Sequence, residues 1–362
     1  MKVTKHSRNT FMSWCQSVLG LSLMFFVAVE VVMAMLPIST PPLFLRERFA
    51  TRICSTVPPL EVSIVNWQVA NCIKQKHGND ILLLGDSSCL MGLMPKVIEK
   101  QTGLSCWNLG TLGYLGTEGH ALLLDFWIRN FGPPRFLVYH VVPYTLVSSN
   151  EETHLYRDML KEWLTSEGSS ELCDRLPSGK ARRYALNGLS QLTSKVKTTD
   201  AFFDSPRSVY PSDREVAKIL LENQGWMPEY TSPKPPSQWQ IESFKPFHSD
   251  CVPGLKHIFD TAQRYKIPVL VMMHDVPSVY TGAETTTAYR GYEHNLEICA
   301  ERYANVHLQH PLLKFLPTEL CANLHHPTPQ GALIHTKRVS ESINECLLHK
   351  SVATSKSEVI SN

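Results

Sequence analysis

Short apolar runs alternate along this chain with stretches of helical spacing, and that rhythm limits the fold to one class. The runs are Ile81–Leu84 (ILLL), Ser105–Gly110 (SCWNLG), Arg135–Val142 (RFLVYHVV), Ile267–Asp275 (IPVLVMMHD) and Asn305–Gln309 (NVHLQ). EGHALLLDFWIRNF precedes the third, VPGLKHIFDTAQRYK the fourth and YRGYEHNLEICAERYA the fifth. Strands alternating with amphipathic helices build βαβ units, and such units form a parallel sheet covered on both faces. The expectation is therefore an α/β domain. Ligand sites in such domains lie at the carboxyl ends of the strands. A chain of 362 residues, 43% of them hydrophobic, has ample material for one large α/β core or two small ones. Its formal net charge of +2, without a cluster of Lys and Arg, excludes a nucleic-acid-binding footprint.

Two regions break the rhythm. At the N-terminus, Lys2, Lys5 and Arg8 precede an apolar segment, residues 11–36, in which Glu30 is the only charge. About 20 apolar residues cross a bilayer, whereas a cleaved secretory signal has an apolar region of about 7–15. The reading is a cytoplasmic N-terminus over 1–10 and a single transmembrane signal anchor over 11–36, with a buried core helix as the alternative. Residues 37–78, with Pro37, Pro41, Pro42, Pro58 and Pro59, read as a membrane-proximal linker. Short basic N-termini rarely translocate, so the main domain is expected outside the cytoplasm, in the periplasm if the source is a Gram-negative bacterium. The second break is the interval from about 148 to 250. It carries a basic KARRYALNGLSQL and a proline-rich SPKPPSQWQ. It reads as a largely helical insertion, either a lid or platform for substrate or a surface excursion. The domain proper spans 79–348, and residues 349–362 read as a flexible tail. Ten cysteines are present without a CxxC pair, which gives no support to a zinc ribbon or thioredoxin-like site and leaves disulfide pairing open.

Three blocks carry chemistry. The first strand runs into Leu84-Gly85-Asp86-Ser87-Ser88. A serine that ends a buried strand and opens a helix has a free backbone N–H suited to an oxyanion. The second block is Cys106-Trp107-Asn108-Leu109-Gly110, where a glycine permits close backbone approach. The third is Asn323-Leu324-His325-His326-Pro327-Thr328-Pro329, with Thr328 as a helix cap and Pro329 in its first turn. Each also has a bland reading as an ordinary turn.

Taken in order, the blocks resemble the SGNH, or GDSL, esterases and acyltransferases, over roughly residues 80–346. The resemblance implies a flavodoxin-like three-layer sandwich with a central parallel sheet. It implies Ser87 as nucleophile, His326 as general base and Asn323 at the position of the family's aspartate. It also implies an oxyanion hole from the N–H groups of Ser87 and Gly110. The family's Gly-x-Asn-Asp block has no counterpart. Tyr144 lies near the place of its asparagine, with His140 further back. His325 is the alternative base. Asparagine at 323 would accept the Nδ1 proton through its carbonyl without bringing charge, an exchange that lowers turnover about 10⁴-fold in a serine protease. No cofactor is expected. No metal is expected either, since the adjacent histidines point in different directions and His335 alone does not complete a ligand set. The expected function is a membrane-anchored ester hydrolase or O-acyltransferase acting on an acylated, acetyl-bearing envelope glycan beside a membrane-bound acyl-transfer partner. The alternative is an inactive carbohydrate-binding or scaffold subunit of the same fold.

Overall fold

A computed structural model describes residues 78–111, 113–147, 213–229 and 252–360, together with Leu21, Ile64, Gln68, Asn71 and Leu160. The chain divides into a unit over Met1–Pro41 and a unit over Pro42–Asn362, and the domain described below belongs to the second. The expected anchor, 11–36, lies outside the described residues except for Leu21. Among the described residues no helix is long and apolar enough to cross a membrane.

The strands are β1 (Ile81–Gly85), β2 (Cys106–Asn108), β3 (Phe136–Val141), β4 (Val269–Met273), β5 (Val276–Pro277), β6 (Val306–Leu308) and β7 (Phe315–Leu316). The helices are α1 (Ser87–Gly92), α2 (Pro95–Thr102), α3 (Gly116–Phe131), α4 (Pro143–Val147), α5 (Asp213–Glu222), α6 (Pro253–Arg264), α7 (Ala283–Ala300) and α8 (Pro329–Ile360). The central sheet has five parallel strands in the order β2-β1-β3-β4-β6. β5 and β7 pair in parallel as a small second sheet. Each of the five sequence-predicted strands is present, trimmed by one or two residues at its ends.

The three layers follow from the two-residue period of the strands. Leu82, Leu84, Leu137, Tyr139, Val141, Val269 and Val271 face α3, α6 and α7 in the larger core. The alternate residues Ile81, Leu83, Phe136, Val138, Leu270 and Met272 face the other way. There they meet Ile98 of α2, and Val339 and Ile343 of α8. His140 continues the Phe136–Val138 series and so points toward α8, where His335 precedes Val339 by one helical turn. Burying such a Leu, Ile or Val contributes about 1.5–3 kcal/mol. A third cluster joins Leu90 and Met91 of α1 to Val216, Leu220 and Met227, and so fastens the described part of the insertion to the helix that begins at Ser87.

Two features differ from the sequence reading. α8 continues to Ile360 rather than ending near 348, because nothing between Gly331 and Ile360 is a glycine or proline that would stop it. The segment after α5 does not stand apart as a surface excursion. It runs beside the outer rim of β2, where the Asn108 N–H donates to Gln224 O at 2.8 Å.

Candidate active site

β1 ends on Gly85 because nothing larger fits: a Cβ there would lie 1.8 Å from the His140 carbonyl oxygen. Asp86 then leaves the strand in an extended conformation and caps α1, accepting the Ser88 N–H through Oδ1 at 2.9 Å. The Asp86 carboxylate also accepts from Ser88 Oγ at 2.6 Å, the Val142 N–H at 2.8 Å and Thr145 Oγ1 at 2.6 Å. It thereby ties the end of β1 to the end of β3. Burial pushes its carboxyl up, against these four donors. Ser87 is the first residue of α1 and is 6% exposed.

His326 arrives from a tightly braced loop. Cys321 bridges to Pro327, Ala322 N–H donates to His326 O at 2.9 Å, and Thr328 N–H donates to Leu320 O at 2.8 Å. The Asn323 Oδ1 accepts the backbone N–H groups of His325 at 3.0 Å and His326 at 2.9 Å. Thr328 caps α8, taking the Gly331 N–H at 3.2 Å. The His326 ring that results is 2.8 Å from Ser87 Oγ through Nε2, across 239 positions of sequence.

The far side of that ring meets a residue absent from the sequence reading. His326 Nδ1 lies 2.5 Å from Oε2 of Glu229, whose side chain is 2% exposed. Glu229 ends the described segment after α5. Trp226 Nε1 donates to Met91 O at 2.9 Å, and Gln224 Nε2 donates to Glu99 Oε1 at 2.9 Å. Gln68 Nε2 donates to both Gly110 O and Gly225 O, at 2.8 and 3.0 Å. Gly225 has a φ of 90°, and its missing Cβ would lie 1.8 Å from Asn108 O, so the chain passes this close only with glycine.

Several expected roles therefore change. Asn323 does not accept the Nδ1 proton. Its Oδ1 holds the loop backbone, while its Nδ2 donates to Glu229 Oε2 at 3.3 Å and steadies the carboxylate. Gly110 does not present an idle N–H, because that group donates to Asn108 Oδ1 at 2.7 Å. The Ser87 N–H, at the start of α1, has no partner among the described residues. Tyr144 lies in α4 at the carboxyl end of β3, and its side chain lies outside the description. His325 is not the group that reaches Ser87. Its ring packs edge-on against His274, with centroids 5.3 Å apart. Burial, with His326 next, pushes His325 down to about 3, and burial drives His274 well below the ordinary histidine value. The floor of the site is thus built of neutral imidazoles. Among the described residues, His/Cys/Asp/Glu ligand atoms converge within metal-binding distance only at Glu293, Glu297 and His310, away from this site.

The only sequence trace of Glu229 is the compact run Gly225-Trp226-Met227-Pro228-Glu229 inside an otherwise polar insertion. It has neither spacing nor a motif to link it with His326. Chemically, hydroxyl, imidazole and carboxylate stand in the series that makes a serine nucleophilic: the base takes the hydroxyl proton, and the acid fixes the ring and stabilises its cation. No protein-family model matches the sequence, no curated protein shows significant similarity to it, and what stands established is an α/β domain with a five-stranded parallel sheet.

Proposed function

We propose that the protein is a serine ester hydrolase or O-acyltransferase of SGNH type, with Ser87, His326 and Glu229 as nucleophile, base and acid. The observation that carries this reading is the continuous series Ser87 Oγ–His326 Nε2 at 2.8 Å and His326 Nδ1–Glu229 Oε2 at 2.5 Å. Ser87 Oγ attacks an acyl carbonyl as its proton passes to His326 Nε2. The imidazolium is stabilised by Glu229 and returns the proton to the departing alkoxide. Water or an acceptor hydroxyl then attacks the acyl-serine, its own proton passing to His326, and Ser87 is released. The Ser87 N–H supplies one oxyanion donor. Asn323 and the loop around it set the direction of the ring.

The physiological substrate in this proposal is an acylated envelope glycan, and the domain acts outside the cytoplasm on a single-pass anchor with a membrane-bound acyl-transfer partner. That part rests on the resemblance of the blocks at Ser87, Gly110 and His326 and on the apolar segment 11–36. An inactive scaffold was attractive chiefly because Asn323 brings no charge, and Glu229 removes that motive.

Labelling by a fluorophosphonate probe tests the chemistry. The native chain is expected to label on Ser87, and Ser87→Ala to remain unlabelled. Equal labelling of the two, or none of the native chain, ends the assignment. Release of acetate from an acetylated oligosaccharide, compared with release from p-nitrophenyl acetate, then tests the glycan.

A further inference from the structure

A second hydrogen-bonded series runs behind the first, and the reaction described above makes no use of it. Asp86 Oδ1 meets Ser88 Oγ at 2.6 Å, and Ser88 Oγ meets His140 Nδ1 at 3.1 Å. His140 Nε2 meets His335 Nε2 at 2.9 Å, and His335 Nδ1 meets Asp275 Oδ2 at 2.9 Å. Asp275 also pairs with Arg338. Asp86, Ser88, His140 and His335 are each no more than 4% exposed, so none of these contacts is shared with bulk water.

Counting protons along the series has a definite result. Each contact needs one hydrogen between its two heavy atoms, and Ser88 has a single hydroxyl hydrogen. If that hydrogen lies toward Asp86, then His140 donates from Nδ1 and must accept at Nε2. His335 then donates from both nitrogens and is an imidazolium between His140 and Asp275. If the hydrogen lies toward His140, both imidazoles are neutral, and Asp86 must itself carry a proton toward Ser88. Either way, four satisfied contacts require one proton beyond neutral histidines and ionised carboxylates. With one proton fewer, lone pairs face each other at one contact. The least unfavourable place for this is between the two uncharged Nε2 atoms, since the other places set lone pairs against a carboxylate.

We infer that this stored proton is a clamp: it joins His140 on β3 to His335 on α8, and so holds the helix behind the His326 loop against the strand beside Ser87. His140 and His335 are positioning residues for the Ser87–His326 pair, so the catalytic consequence rests on the function proposed above. The groups that surround the clamp are few. His274 and Asp275 face it from the end of β4, Asp86 acts through Ser88, and Arg338 lies on α8 itself. Lys314 before β7 interacts with Asp275 and Arg338, and also with Glu341 and Glu345 of α8. Burial, and then the neighbouring His335, drive His140 well below the ordinary histidine value, which agrees with one proton serving two rings. The clamp is closed at low pH and opens as pH rises.

Nuclear magnetic resonance of the full-length chain, labelled with ¹⁵N at histidine and backbone amides, reads this directly over roughly pH 5 to 9. The expected result is one shared step for the His140 and His335 ring nitrogens, with the Val142 and Thr336 amides shifting at the same midpoint. Separate midpoints for the two rings, or no change in either, overturn the clamp. Fluorophosphonate labelling should fall at least about tenfold above that midpoint, and His335→Gln should abolish this basic limb. A limb that is unchanged in His335→Gln overturns the positioning role. If the native chain is not labelled at any pH, the proposed function fails, while the ring and amide shifts still decide whether the clamp exists. If His335→Gln does not fold, the same shifts in the native chain decide it.

Discussion

Asn323 and Glu229 divide between them the work that one aspartate does in the resembling family. Asn323 braces the loop through Oδ1, and Glu229 provides the charge at Nδ1. Their substitutions should therefore fail in different ways. Glu229→Gln keeps the shape but loses the charge that stabilises the imidazolium, so the labelling rate should fall by about 10²- to 10⁴-fold with little change in melting temperature. Asn323→Asp should not accelerate the reaction. It sets a second carboxylate beside Glu229, 3.3 Å from the present amide nitrogen, and like charges at that distance disfavour joint ionisation. We expect a slower enzyme whose rate also varies with pH where the native one is flat. A gain in rate would show that Glu229 does not serve as the acid.

The elements were more legible than the contacts between them. Five apolar runs and their helical neighbours indicated the parallel sheet, and the order of Ser87 and His326 along the chain indicated which ends meet. Both follow from periodicity and local turn chemistry. Glu229, the His140–His335 contact and the role of Asn323 were not legible, because each depends on a long-range approach that leaves no local pattern. His140 reads as one more residue of a buried strand until α8 is seen to place His335 over it. The approach of the segment after α5 depends on Gly225, whose φ of 90° favours glycine. Gly225→Ala should lose about 1–3 kcal/mol through backbone strain alone, and more through the clash with Asn108 O. Urea unfolding would measure this, and labelling should drop in parallel as Glu229 is displaced. Full labelling in a destabilised variant would separate the segment's structural role from its chemical one.

At the scale of the whole molecule, buried histidines set the acid limit. Burial alone holds His120 at about 3, and burial is the leading cause holding His140 and His274 well below their ordinary values. A group whose folded pKa is depressed lends stability that is complete above its unfolded pKa and is lost as pH falls toward the folded one. For His120 that window runs from about 6.5 down to about 3. Asp275 adds a lower window. Burial pushes its carboxyl up, but His335 and Arg338 outweigh this and hold it at about 2, so its contribution is lost between 3.8 and about 2. Stability measured by urea unfolding should thus fall steadily below pH 6.5, and His120→Gln should flatten the upper part of that fall. An unchanged slope would mean that His120 takes up a proton in the folded state. The segment that delivers Glu229 has one more consequence. It lies along β2, the strand at one border of the sheet, and engages an amide that would otherwise be open to another chain. Variants that lift it away should lose catalysis and also become sticky, polymerising through that border as light scattering would report, so that solubility and activity decline together.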